Sequence, residues 1–220
     1  LPALIKAYDT SDKTVNGDLK EPIETLRTWN LNYGKESVGA ALAMYWGVEL
    51  RQRVFSKIAP GSSQLDIINY MTTQTTTEEK LNALRTVVNE FTRDFGKWNV
   101  AWGEVNRFQR LTGQINETYD DNKPSLPVAS ASSFWGSLAA FGSRTYTGTN
   151  KMYGYVGNSF VAVVEFGKTI KAKSVLAGGN SNNPASPYFT NQAELYSNGQ
   201  FKDVWFYRKD VEAHAVRTYQ

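Results

Sequence analysis

Cysteine is missing altogether, and histidine occurs once, as His214. Without cysteine there can be no disulfide, no thiol chemistry and no Cys-based metal site. A Ser-His-Asp arrangement needs a histidine as base. His214 stands close to the C-terminus among Asp210, Glu212 and Arg217, and reads as a surface residue. No run approaches the ~20 apolar residues of a membrane-crossing helix, so no membrane partner is expected. Net charge is only +3, and lysine and arginine are scattered, so a nucleic-acid partner is not expected either. A zinc site needs several His, Cys or carboxylate ligands, and no such cluster is visible. Asp120-Asp121 reads as a solvated pair rather than as calcium ligands. Gly178-Gly179 lies outside any strand-turn-helix phosphate motif. Methionine does not stand first: the chain opens Leu1-Pro2 without a signal peptide. The expectation is a processed or excised piece of a longer protein.

What is present is an ordinary globular composition with a high aromatic share. The 13% aromatics, 6 Trp and 12 Tyr among them, call for a large core or an aromatic-lined site. The 220 residues suffice for one large domain or about one and a half ordinary ones. Residues Leu1 to Gly17 read as a leading segment ending in polar turn residues. A helix is expected from Pro22, with Ile23, Leu26 and Trp29 on its apolar side. A second runs from the N-cap Ser37 to about Lys57, its small residues Gly39, Ala40, Ala41 and Ala43 permitting close packing. Gln64 to Met71 is a short helical piece. Thr76 and Glu79 fit a capping box opening a helix that carries Leu81, Leu84, Val88, Phe91 and Phe95 and closes at Gly96. Residues 116–127 read as polar loop, after which the pattern turns strand-like.

The most apolar run is Phe160 to Phe166, interrupted only by Glu165. It predicts a strand with both faces covered. A turn at Gly167-Lys168 and a strand from Ala172 to Leu176 complete a hairpin. An irregular loop, Gly178 to Pro187, leads to a helical piece at Asn191 to Tyr196. Residues 1–115 are thus mainly helical and residues 116–220 β-rich, an α+β order.

The stretch from Gly154 to Tyr196 combines an apolar strand, a GG-N-S-x-x-P-x-S-P loop and Gln192-Ala193-Glu194-Leu195-Tyr196. It resembles the end of the β-chain in the penicillin acylase family, which includes acyl-homoserine-lactone and cephalosporin acylases. Leu26-Arg27-Thr28-Trp29-Asn30 with Glu36-Ser37, and Trp102-Gly103-Glu104-Val105-Asn106-Arg107, resemble earlier segments of that family in the same order. The sequence departs at Asn30, where the family usually has Asp, and at Tyr188 and Asn191, where His and Asp are expected.

The resemblance implies an N-terminal-nucleophile hydrolase with an αββα sandwich. In that family the first β-chain Ser attacks an acyl carbon and its own α-amine acts as base. Leu1 has no nucleophilic side chain. The resemblance therefore implies that residues 1–220 are a C-terminal fragment of the β-chain, with no catalytic residue, cofactor or metal ligand of their own and inactive alone. A structural calcium of some members would bind elsewhere. The partners implied are the α-chain, the N-terminal part of the β-chain and a small acyl amide, either a β-lactam side chain or an N-acyl-homoserine lactone. Those substrates would place the enzyme in antibiotic metabolism or quorum quenching, and the family implies a periplasmic or secreted location.

Glu165 has two readings. Strand alternation turns it to solvent or an arginine partner, or it matches the late β-chain glutamate that orients a histidine near the nucleophile in cephalosporin acylases. Asn180 and Ser181 either bond across the core or stabilise their loop. Trp98, Trp102, Phe134 and Trp135 either line an acyl pocket or pack in the core. Glu104 and Arg107 have the spacing of an ion pair. The alternative function is a non-catalytic module whose aromatic-rich β half holds a glycan or peptide. A third possibility is a fragment that misfolds or domain-swaps without its partner segments.

Overall fold

The computed structural model describes residues 1–114 and 116–217. Its first half is helical: α1 (Pro2–Asp9), α2 (Lys13–Asn16), α3 (Lys20–Thr28), α4 (Val38–Val54), α5 (Gln64–Thr73), α6 (Thr77–Phe95) and the single turn α7 (Trp102–Val105). Local chemistry sets the ends. Ser37 Oγ accepts from Ala40 N at the start of α4. Thr76 and Glu79 exchange the two bonds of a capping box at α6. Gly96 ends α6 at φ +75°, a left-handed conformation that favours glycine. Ser63 and Asp66 form a second capping box at α5.

α4 is the centre of the helical half. Ala40, Ala41, Leu42, Leu50 and Val54 are fully buried on it, which leaves no wide polar face. α3 contributes Ile23 and Leu26 to the same core, and α6 contributes Leu81, Leu84, Val87 and Phe91. Fully burying each such side chain stabilises the fold by about 1.5–3 kcal/mol. Trp46 Nε1 donates to Lys80 O (3.0 Å), pinning α4 to α6. The segment expected to lead in loosely is α1 instead. Leu4 and Tyr8, four apart, bury one side of it in the core, and Pro2 fits its first turn.

Residues 102–107 join the two halves. Trp102 is fully buried and its Nε1 donates to Ala129 O (2.9 Å). The backbone N–H groups of Trp102 and Gly103 donate to Ser37 O and Lys35 O, ahead of α4. Asn106, also fully buried, donates from Nδ2 to Val128 O and Ser130 O and accepts from Ser143 Oγ. One amide thus fastens residue 106 to two strand-side segments, 128–130 and the one carrying Ser143. Glu104 and Arg107 do not pair with each other. Glu104 bonds Lys97 (3.0 Å), whereas Arg107 donates to Gly103 O and Ser125 Oγ. α7 ends at Val105 and β1 begins at once, so helical i,i+3 spacing does not carry across.

The β half forms two sheets. The first has the order β2-β1-β4-β3, from β1 (Asn106–Phe108), β2 (Leu126–Pro127), β3 (Phe141–Arg144) and β4 (Met152–Gly157). β1 and β4 run parallel and the other pairs antiparallel. Tyr153 is its buried anchor, and its hydroxyl donates to Asp121 Oδ1 (2.8 Å). The second is β5-β6-β7, all antiparallel: β5 (Phe160–Glu165), β6 (Lys171–Leu176) and β7 (Lys202–Val204). Short helices α8 (Ala193–Ser197) and α9 (Arg208–Ala213) complete the chain. The α+β order and the hairpin are as the sequence leads one to expect.

The covered strand is not. Phe160 is 59% exposed, Val163 60% and Val164 43%. Register explains how the exposure is organised, since directly paired residues share a face. Phe160, Ala162 and Val164 pair with Leu176, Ser174 and Ala172, and the latter two with Lys202 and Val204. That face is largely apolar. The opposite face carries Val161, Val163 and Glu165 beside Val175, Lys173 and Lys171, with Asp203 across from Lys173. Among the described residues only Val175 is buried in this sheet. An apolar run states what a strand needs against it; the described residues do not supply the cover.

Candidate functional site

The aromatic groove is built on α4. Gly47 has no side chain, so the indole of Trp135 lies against the helix; an added Cβ would come within 2.8 Å of Trp135 Cη2. Gly39, two turns earlier, receives Trp29 in the same way. Together with Tyr33, Trp46, Met71 and Leu138 these rings line a cavity of about 680 Å³ between α4, α5 and the 133–138 turn. Hydrogen bonds fix its walls. Tyr33 Oη donates to Trp135 O (2.9 Å), and Gln64 Nε2 donates to Phe134 O (2.7 Å). Arg51 lies over the Phe134 ring, 4.5 Å from its centroid. Burial holds the Tyr33 phenol above its ordinary range, so it stays neutral. The groove can hold an apolar group and present a few fixed polar atoms to it.

Of the four expected pocket aromatics, the structure brings Phe134 and Trp135 together here. Trp102 is core, and Trp98 packs against that core from its edge. Trp29, Tyr33 and Trp46 complete the groove. The signal for Trp29 was the small-residue row Gly39, Ala43 and Gly47, spaced four apart on one face of α4. Bulky partners from distant segments lie on such a row.

The remaining candidates are dispersed. Glu165 is exposed and faces Lys171, its cross-strand neighbour, at 3.8 Å; the partner is a lysine, not an arginine. Ser181 acts within its own loop, whereas Asn180 ties that loop to the buried side chain of Gln192. Asn180 Oδ1 accepts from Gln192 Nε2 (2.7 Å), and Ser181 Oγ accepts from Asn183 N (3.1 Å). Gln192, fully buried, also accepts from Leu176 N and so ties the loop to β6. Gly179 lies so close to Tyr188 O that a Cβ would meet it at 2.1 Å. His214 stacks on Trp205 (centroids 4.0 Å) and its Nδ1 lies 2.8 Å from Asp210 O. Asp121 is not simply solvated. It accepts from Asn150 N, Lys151 N and Tyr153 Oη, and so braces the turn before β4. No group of three or more His, Cys, Asp or Glu suited to a metal occurs among the described residues.

An α+β chain with a helical core, an aromatic groove and a sheet with one uncovered apolar face is a class defined by packing, not by a reactive centre. The model of the penicillin amidase family matches residues 1–213. The chain belongs to the penicillin amidase family, a family of acylase-type amide hydrolases.

Proposed function

We propose that this chain is the C-terminal part of the β-chain of a penicillin-acylase-like amide hydrolase. The nucleophilic Ser, its α-amine base and the main oxyanion donors then lie on polypeptide outside it. The observation that carries the reading is the uncovered face of β5-β6-β7, where Phe160, Val164 and Val204 remain exposed in a chain with a well-buried helical core. Sheets stacked face to face bury such surfaces, and a sandwich completed by other segments of the same enzyme would do so. The α-chain and the rest of the β-chain are those partners. The substrate is a linear amide, a β-lactam side chain or an N-acyl-homoserine lactone, met in the periplasm or outside the cell. Glu165, on the charged face of the hairpin, acts in this reading as a positioning residue for a histidine supplied by the partner segments.

The test sets the 220-residue chain beside the intact parent acylase, with chromogenic acyl amides as substrates. The expected outcome is turnover by the parent and none by the chain. Turnover by the rigorously purified chain alone would overturn the reading. In the parent, Glu165→Gln is expected to lower kcat and shift its pH profile, with KM little changed; an unmoved profile removes Glu165 from the mechanism.

A second reading rests on the exposed aromatics of the β half, Phe160, Trp205 and Phe206. They suit a non-catalytic module that grips a peptide or glycan. Saturable binding of such a ligand by the isolated chain, lost on Trp205→Ala, would favour it over the acylase reading.

A further inference from the structure

Away from the aromatic groove, a second cavity of about 500 Å³ opens between α4, α6 and the connection from β3 to β4. Met44, Val48, Phe91 and Met152 give it apolar walls. Three carboxylates also line it, Glu49, Glu90 and Asp94. Two are already matched: Glu49 pairs with Arg53 (2.6 Å) and Asp94 with Arg93 (2.6 Å). Glu90, half-buried between them, makes no hydrogen bond or ion pair among the described residues.

Tyr45 supplies an independent observation. Its ring packs edge-on against Phe91, with centroids 4.6 Å apart, and it lines the same cavity. Its hydroxyl is buried and has no hydrogen-bond partner, alone in this among the buried side-chain polar atoms of the described residues. Buried hydroxyls are normally paired, because leaving one unmet forfeits its bond to water. Burial first, then the nearby charges of Glu90 and Asp94, hold this phenol well above its ordinary range, so it keeps its proton. Its oxygen is sealed from the cavity and accepts a bond once the ring turns toward a ligand.

We propose that this cavity is a binding site for a small organic ammonium. The apolar body rests on Met44, Phe91 and Met152, and the ammonium donates to the Glu90 carboxylate and to Tyr45 Oη. The charge pattern selects a cation. An anion would face the unpaired Glu90 carboxylate, and a neutral ligand would leave it unmatched. Arg144, on the opposite wall, is engaged over the rings of Tyr146 and Tyr155, 5.0 and 5.1 Å from their centroids. The site is separate from the amide-hydrolase reading and stands or falls without it.

Titration calorimetry on the intact protein tests it, with n-hexylammonium chloride as probe and 1-hexanol and hexanoate as size-matched controls. The expected result is saturable one-to-one binding of the ammonium, with 1-hexanol weaker by about tenfold and hexanoate weaker still, since a charge-assisted bond is lost. Glu90→Gln should weaken the ammonium about tenfold without affecting 1-hexanol, and Tyr45→Phe about threefold. Both variants keep the shape of the wall; Tyr45→Phe removes an unmet hydroxyl and Glu90→Gln an unpaired charge, so their unfolding midpoints should equal or exceed that of the parent. Equal binding of the ammonium and 1-hexanol, no saturable heat, or an unchanged affinity in Glu90→Gln would overturn the proposal.

Discussion

The helical half and the β5-β6-β7 sheet contain similar apolar residues and treat them in opposite ways. In the first, Leu42, Leu50, Leu84 and Trp102 are fully withdrawn from water. In the second, Phe160, Val163 and Val164 remain at least two-fifths exposed. Residue type does not explain the contrast, because valine and phenylalanine serve both. Topology does. α3, α5 and α6 pack against α4 and α1 packs against α6 and α3, whereas the β5-β6 hairpin extends from the body with a short third strand. Hydrophobic stabilisation scales with apolar area removed from water, so most of the fold's stability resides in the helices. The sheet is held by its ladders and by charged cross-strand pairs such as Lys173–Asp203 (3.1 Å) between β6 and β7.

The sharpest break of that contrast is Trp102→Ala. Removing this buried indole should cost about 3–5 kcal/mol, measured as a fall in the urea midpoint, with partial unfolding at room temperature. Val163→Ala in the hairpin should change stability by no more than about 0.5 kcal/mol. Comparable losses at the two sites would show that the sheet is covered in solution. Next comes Asn106→Ala. It strands the carbonyls of Val128 and Ser130 and the hydroxyl of Ser143. A loss of about 2–3 kcal/mol is expected, and amide exchange of β3 should rise before that of α4.

A third change turns the contrast toward assembly. Phe160→Ser with Val164→Ser should leave the midpoint of the isolated chain within about 0.5 kcal/mol of the parent. In the full acylase the same pair should lower the yield of assembled enzyme several-fold, because the partner face would lose its apolar contact. Unimpaired assembly would mean that the face is not an interface.

How much could be read beforehand follows from the range of each cause. Ser37, Thr76 and Gly96 act within one helical turn, and the sequence shows them directly. α1 escaped because its apolar pattern is only two turns long and polar residues follow it; the cover over Leu4 and Tyr8 comes from elements distant in sequence. The aromatic groove was half legible. Phe134-Trp135 stands out in the sequence, but Trp135 and Trp29 meet on α4 only because Gly47 and Gly39 leave room for their rings. Glu165 was harder still. Strand alternation gives its face, yet its neighbour depends on the register that sets Lys171 opposite it. The split between Glu104 and Arg107 depends on a helix that ends after one turn, which spacing alone does not reveal.

The smallest expected effect tests the rigid half at its edge. Glu79 closes the capping box of α6 and bonds Lys57 Nζ at 2.7 Å. The Lys57 ammonium, and then the Thr76 N–H, pull the Glu79 carboxyl down to about 2. A carboxyl depressed in the folded state favours folding while it is ionised. That contribution is complete above the ordinary glutamate range, near 4.5, and fades as pH falls toward 2. Glu79→Gln should therefore lower the thermal midpoint slightly at pH 7, and the gap from the parent should close on acidification. Thr76→Ala removes the partner bond of the cap and should cost about 1 kcal/mol at neutral pH. Its penalty should change less with acid, because a hydroxyl does not titrate there. If the Glu79→Gln gap stayed constant from pH 7 to pH 2, the cap would be acting through shape rather than charge. The edge of the helical core would then be held as its centre is, without help from charge.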